Sequence, residues 1–331
     1  MEIKAAEVAK LRQMTGAGMM DCKKALVEAE GDFERAKEII REKGKLVAAK
    51  RADRETSEGA AIAKVNGNKA IVVALGCETD FVAKNAEFQA LAEAIAETAI
   101  ANFPADKDAL MACVLADGRT VEAAVTEQTG KTGEKHQIAG YEVVEAPYIV
   151  AYMHNVTGKL AALVGFNKEF DAQVAKGVAM QVASMNPVAV SAESVPQSVI
   201  DTELKTATEK TKEELVQKAV DAALTKAGIN PAHVDSESHI ESNQAKGWIT
   251  AEQAEQAREI IKTVSAEKAA NLPEQMVANI AKGRLQKFFK EQTLEEQGYQ
   301  MGDGKTAVKD VVKAADAEAK ILTFKRLSLA D

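Results

Sequence analysis

The chain has 331 residues, enough for two or three domains with their own cores. With 46% apolar and 28% charged residues it is not a disordered chain, and with only 4% aromatics its core falls to Ala, Val, Ile and Leu, which points to much helix. A formal net charge of −8 and a pI near 5.3 argue against broad, nonspecific binding to nucleic acid.

Residues 5–44 read as three short helices. Ala5, Val8 and Leu11 set a stripe that ends at Gly16-Ala17-Gly18. Met19, Met20, Ala25 and Leu26 continue on a second helix, stopped by Gly31. Asp32 caps a third, which carries Phe33, Ala36, Ile39 and Ile40 and is expected to end at Gly44. Residues 46–58 read as a linker or an exposed helix. Lys43, Lys45, Lys50, Arg51 and Arg54 near it form either a local basic face or a solvated helix end.

An internal repeat follows. Ala60–Val65, a Gly67 turn and Ala70–Leu75 form a hairpin, and Asn85 caps a helix carrying Leu91, Ile95 and Ile100. Tyr148–His154, a Gly158 turn and Leu160–Gly165 repeat the hairpin, and the stretch from Glu169 to Met185 repeats the helix. The fold class is therefore α+β, with two related subdomains, each an antiparallel sheet backed by helices. We place these at 59–145 and 146–331. Inserted at about 196–272, two helices, 198–226 and one opened by Thr250 and Gln253, are expected to zip into an antiparallel coiled-coil arm. The connection from Gly228 to Gly247 reads as a mobile tip. Pro273 opens a further helix in the first-turn position, and Ile321–Leu327 reads as a strand that joins the core sheet.

Enzyme signatures are missing. Gly302-Asp303-Gly304-Lys305 lacks the spacing of a phosphate-binding loop, Gly16-Ala17-Gly18 has no preceding strand, and neither GxSxG nor HExxH occurs. His136, His154, His233 and His239 have no metal-ligand spacing, so neither catalysis nor a cofactor is expected. Cys22, Cys77 and Cys113 are odd in number and far apart, as in a reducing cytosol. No apolar run approaches transmembrane length, and the opening Met-Glu-Ile-Lys is unlike a targeting segment, so the expected location is cytoplasmic, with no membrane partner.

Two motifs remain. Thr79-Asp80-Phe81-Val82-Ala83-Lys84-Asn85 sets an acid beside a bulky aromatic between a strand and a helix. On the residues alone, Phe81 and Val82 either close that corner as core or stand out as a tip. Leu11-Arg12-Gln13-Met14-Thr15-Gly16-Ala17-Gly18-Met19-Met20-Asp21-Cys22-Lys23-Lys24-Ala25-Leu26 is the second motif, whose methionines either fill a small core or offer an adaptable surface. Together they resemble the two hallmark motifs of the elongation factor Ts family, guanine-nucleotide exchange factors for elongation factor Tu, and the resemblance spans nearly the whole chain.

The resemblance implies that Thr79, Asp80, Phe81 and Val82 are driven into the nucleotide-binding domain of elongation factor Tu. It also implies that a ubiquitin-associated-like module (residues 1–45) docks there through Arg12, Met19, Met20 and Lys23. His154, in Tyr152-Met153-His154, matches a family histidine that contacts the same domain; unaided, it reads as a turn residue. Met301 matches a contact to the partner's third domain, where Gln300 replaces an apolar residue. Lys131-Thr132-Gly133-Glu134 resembles a further contact but has Thr132 where an aliphatic residue is common, and it is not taken as a site. The implied partner is elongation factor Tu, GDP-bound and nucleotide-free, with no direct nucleic acid; a homodimer or a 2:2 complex stays open. The stretch from Lys212 to Ala266 is longer than the usual family arm. A pure adaptor and an RNA-binding translation protein are the competing classes, the latter disfavoured by the acidic balance and scarce aromatics.

Overall fold

The computed structural model describes residues 3–330; Met1, Glu2 and Asp331, the outermost positions of the 1–45 and 146–331 spans, lie outside the described residues. The chain forms two compact units: one of residues up to Val190 together with those from Leu294 onward, the other Ser191–Thr293.

The first unit opens with α1 (Ala5–Thr15), α2 (Met19–Glu28) and α3 (Phe33–Lys50). Gly16 ends α1 in the left-handed region at φ +69°, and Asp32 caps α3 by accepting the Arg35 N–H. Val8, Leu11, Cys22, Ala25, Leu26 and Ala36 form the module's small core.

A hairpin of β1 (Glu58–Asn66) and β2 (Lys69–Cys77) follows, in register from Glu58↔Cys77 to Asn66↔Lys69 around Gly67. The chain continues through the single turn α4 (Asp80–Ala83), then α5 (Ala86–Asn102), α6 (Lys107–Ala112) and α7 (Val121–Thr132). Strand β3 (Gln137–Glu145) then pairs antiparallel with β2. Helix α3 runs past Gly44, where a stop was expected, and takes up part of the supposed linker. Its Gly44 lies against Gly130 of α7, where a side chain on Gly130 would come within 2.8 Å of the Gly44 Cα. Gly44 is thus a packing residue rather than a helix terminator.

The second hairpin, β4 (Tyr148–Met153) with β5 (Leu160–Phe166), leads into α8 (Ala172–Met185). The second unit then occupies the chain with α9 (Gln197–Lys226), α10 (Glu237–Ala245), α11 (Ala251–Ala270) and α12 (Glu274–Gln292). Finally α13 (Val308–Ala315) precedes β6 (Ile321–Ser328), which pairs antiparallel with β5 as the sequence suggested. The sheets have the orders β1-β2-β3 and β4-β5-β6.

Alternation along the strands explains the layering. Ile71, Val73, Leu75 and Cys77 of β2 pack under α5 and α7, whereas Ala70, Val72 and Ala74 share a cluster with Ile149, Ala161 and Leu163 of the other sheet. Ala162, Val164 and Phe166 of β5 pack under α8 and α13. The order of layers is helix, sheet, sheet, helix, so the central strands are apolar on both faces and read as continuous hydrophobic runs. Small residues line the contact between the sheets: a Cβ on Gly165 would meet the Ala146 Cβ at 2.8 Å, and one on Gly140 would meet Leu327 at the same distance. The two subdomains read from the sequence are therefore packed sheet to sheet within one unit.

In the second unit, α9 packs with both α11 and α12. This unit spans Ser191–Thr293 and holds α10 and α12 beside the two helices expected; α12 belongs to it because it buries Val277 and Ala281 and its Arg284 meets Glu214 of α9 at 2.5 Å. The 228–247 connection, expected to be mobile, is folded as a 3-10 turn (Pro231–His233) and α10, with Ile229, Val234 and Ile240 buried. Thr250 and Gln253 form the anticipated capping box of α11, whereas Pro273 is the N-cap of α12 rather than its first-turn residue.

Candidate partner-binding site

Strand β2 ends in buried Cys77, and the chain must then turn to enter α5. Thr79 accommodates this as the N-cap of α4, its Oγ accepting the Val82 N–H over a long 3.5 Å, and Asn85 caps α5 through Glu87 N. Ala83 is buried and Val82 half-buried against the core beneath α5, which fixes the turn from below. Phe81 faces the other way and is 84% exposed. The motif thus divides: Val82 packs inward, and Phe81 stands clear as an apolar side chain with no intramolecular cover. Asp80 pairs with Lys84 at 2.7 Å, which holds its carboxyl below the usual range while leaving it in solvent.

The base of this turn is laced to the loop between α7 and β3. The Glu134 carboxylate accepts from the Thr79 hydroxyl at 2.6 Å and from the Thr79 N–H at 3.0 Å. One residue earlier, Glu78 accepts the Lys135 N–H at 2.6 Å and both Oε atoms lie within 2.9 Å of Arg51 Nη1. Burial works against the Glu78 charge, but the Lys135 N–H and Arg51 outweigh it and lower its pKa. The Lys135 ammonium in turn donates to the Ala52 and Arg54 carbonyls of the turn that follows α3, at 2.7 and 2.8 Å. Under the turn, Cys77 donates to the Thr79 carbonyl; burial, reinforced by Glu134 and Glu58, pushes its thiol up to about 12.

His154 follows β4. Its N–H donates to the Leu160 carbonyl at 2.9 Å, and its Nδ1 lies 3.3 Å from the Thr157 hydroxyl, so it serves as a turn residue while remaining half-exposed. The turn carries Val156, 90% exposed, and its Gly158 carbonyl accepts the Ala61 N–H of β1 at 2.8 Å. Through that bond the second hairpin's turn lies along the edge of the first sheet. Asp80, Lys84, Met153 and His154 consequently line one shallow groove, although 74 residues separate Asp80 from His154 in the sequence (154 − 80).

Of the other expected site residues, Thr79, Phe81 and Val82 flank Asp80 in sequence without lining that groove, and Arg12, Met19, Met20, Lys23 and Met301 do not line it either. Arg12 and Lys23 are exposed, and Met19 and Met20 stand out at the start of α2 rather than filling the module's core. Met301 is exposed on a loop closed by the Gly298↔Ala307 bridge and by Asp303, which accepts the Lys305 and Thr306 N–H groups. Within the basic run near α3, Lys43 pairs with Asp21 and Arg51 with Glu78, whereas Lys45, Lys50 and Arg54 are exposed. Sequence reasoning passed over the Thr79–Glu134 contact, whose partners lie 55 positions apart. Among the described residues no group of three His, Cys, Asp or Glu is placed to hold a metal ion, and no helix is long and apolar enough to cross a membrane.

The sequence profile of the family described as Elongation factor TS matches residues 78–230 and 216–331. Proteins named elongation factor Ts from Phocaeicola vulgatus and Bacteroides fragilis are each 56% identical to this chain over 329 residues, covering 99% of both partners. One from Christiangramia forsetii is 41% identical, again over 99% of each chain. Such coverage means that these relatives match the long arm as well as the core. The chain belongs to the elongation factor Ts family.

Proposed function

We propose that the protein is a guanine-nucleotide exchange factor for elongation factor Tu in the elongation phase of protein synthesis. It binds the GDP form, promotes GDP release and is displaced by GTP. The observation that carries this reading is the exposure of Phe81 on a turn held from beneath by Ala83 and Val82. A large apolar side chain on a rigid support is suited to being inserted between packed elements of a partner. Burying it there contributes about 1.5–3 kcal/mol toward the cost of separating them.

The target explains why a small displacement suffices. A GTPase holds its nucleotide through phosphate contacts and a Mg²⁺ ion that requires near-ideal octahedral geometry. Phe81 shifts the partner's backbone, and Asp80 brings negative charge close to the metal and its donors. The protein itself makes and breaks no covalent bond and needs no cofactor. Linkage completes the cycle: a factor that weakens nucleotide binding is weakened by nucleotide in the same ratio, so GTP ejects it. Arg12, Met19, Met20 and Lys23 supply docking contacts in this reading, as do His154 and Met301.

The test is stopped-flow release of a fluorescent GDP analogue from elongation factor Tu of the same source. It compares no factor, the wild type and an Asp80→Ala/Phe81→Ala double variant. The wild type is expected to accelerate release strongly, and the double variant to lose about ten- to a hundredfold of that acceleration. Acceleration kept by the variant moves the mechanism to other contacts. Binding with no acceleration by the wild type overturns the exchange reading in favour of an adaptor.

A further inference from the structure

Thr79 has two hydrogen-bonding tasks of unequal strength. As an N-cap its Oγ faces the Val82 N–H, but at 3.5 Å that bond is long and does little to hold the turn. Its hydroxyl proton and its own N–H both go to Glu134, at 2.6 and 3.0 Å. A charged acceptor with two short bonds to one residue is the strongest polar restraint on the turn, since hydrogen bonds to ionised groups exceed neutral ones.

Glu134 is not itself free to drift. The next residue's N–H is held by Glu78 at 2.6 Å, and the Lys135 ammonium is fixed on the turn that follows α3. Behind it, His136 donates Nδ1–H to the Glu134 carbonyl at 2.9 Å, and its N–H reaches the Thr129 hydroxyl at 3.1 Å. Residues 78–79 and 134–135 therefore clasp one another reciprocally, each strand of the clasp giving a carboxylate and receiving one.

From this geometry we infer that Glu134 is a positioning residue for exchange: it holds Thr79 so that the Asp80–Phe81 turn is set before the partner arrives. The inference rests on the proposed exchange function. Glu134 touches nothing in the partner for this purpose; it acts through Thr79. Without it, the turn must be ordered during insertion, and that cost falls on the step that expels nucleotide rather than on initial docking.

The test uses the full chain with Glu134→Ala and the near-isosteric Glu134→Gln. Two readouts are taken: GDP-analogue release as a function of factor concentration, and hydrogen exchange at the Thr79 and Val82 amides by NMR. Glu134→Ala is expected to lower the saturating release rate about tenfold, to leave the half-saturating concentration unchanged, and to speed Thr79 and Val82 exchange by a similar factor. Glu134→Gln keeps one carbonyl acceptor and recovers part of both losses. A purely structural role would lower thermal stability and speed amide exchange but leave the saturating release rate at the wild-type value; that result overturns the inference. Should Glu134→Ala fail to fold, Glu134→Gln decides alone, and unchanged amide exchange in it overturns the inference. If the wild type fails to accelerate release, the exchange reading falls, and the amide data still report whether Glu134 holds the turn.

Discussion

Two glycines face each other where α3 crosses α7, and they should respond to alanine with opposite signs. A Cβ on Gly44 would meet the Gly130 Cα at 3.6 Å and the Thr126 carbonyl at 3.7 Å, both ordinary contacts. A Cβ on Gly130 would lie 2.8 Å from the Gly44 Cα, and backbone cannot swing aside as a side chain can. Both positions are helical, so alanine gains about 0.5–1 kcal/mol at either by restricting the unfolded chain. At Gly44 nothing opposes that gain. At Gly130 the helices must separate by several tenths of an ångström, and overpacking of that kind costs about 1–3 kcal/mol. Gly44→Ala should therefore raise stability by up to about 1 kcal/mol, and Gly130→Ala should lower it by as much as about 2 kcal/mol. For a unit of this size each kcal/mol moves the midpoint by about 2–4 °C, within reach of calorimetry. Equal shifts in the two variants, or a Gly130→Ala protein at least as stable as the wild type, would refute the crossing as described.

Two further outcomes concern buried titrating groups. His136 is buried against Phe88, gives Nδ1–H to a carbonyl and has no partner at Nε2, so burial lowers its pKa from the ordinary 6.5. The unfolded chain takes up that proton first as pH falls, so stability is lost below about pH 6.5; His136→Phe should flatten the midpoint between about pH 7 and pH 5, and an unchanged slope would rule His136 out as the source. Cys22 and Cys77 are buried while Cys113 is half-exposed, and the Cys77 thiol is pushed up to about 12. A thiol reagent at about pH 8 should modify Cys113 quickly and Cys77 only on unfolding; rapid labelling of Cys77, located by peptide mapping, would contradict its placement under the turn.

What could be read from the sequence follows how local each signal is. The two hairpins were legible because their strands are mostly apolar and closed by Gly67 and Gly158. Strand β3 was not: Gln137–Glu145 has polar residues and a glycine, and its partner β2 lies across four helices. Gly44 reads as a stop from propensity alone, and only the crossing with α7 shows why a helix keeps a glycine there. The 228–247 stretch resembles a loose connection by composition, yet widely spaced Ile229, Val234, Ile240 and Ile249 fold it. At the candidate site the sequence singled out Phe81 but could not separate it from Val82, since burial decides which of two adjacent apolar residues faces outward. The restraint from Glu134 belongs to tertiary structure and has no local signature.

The alanine-rich layer between the sheets bears on how the protein meets another. The turn carrying Phe81 follows β2 of one sheet, whereas His154 follows β4 of the other. The offset between these two projections is therefore set by how closely the sheets approach, not by the length of any loop. The alanines of that layer give the spacing little freedom, because a methyl group has no rotamer to adjust. Enlarging Ala61, Ala70 or Ala161 would act like a shim, changing the gauge between two surface features while leaving every residue on the surface as it was.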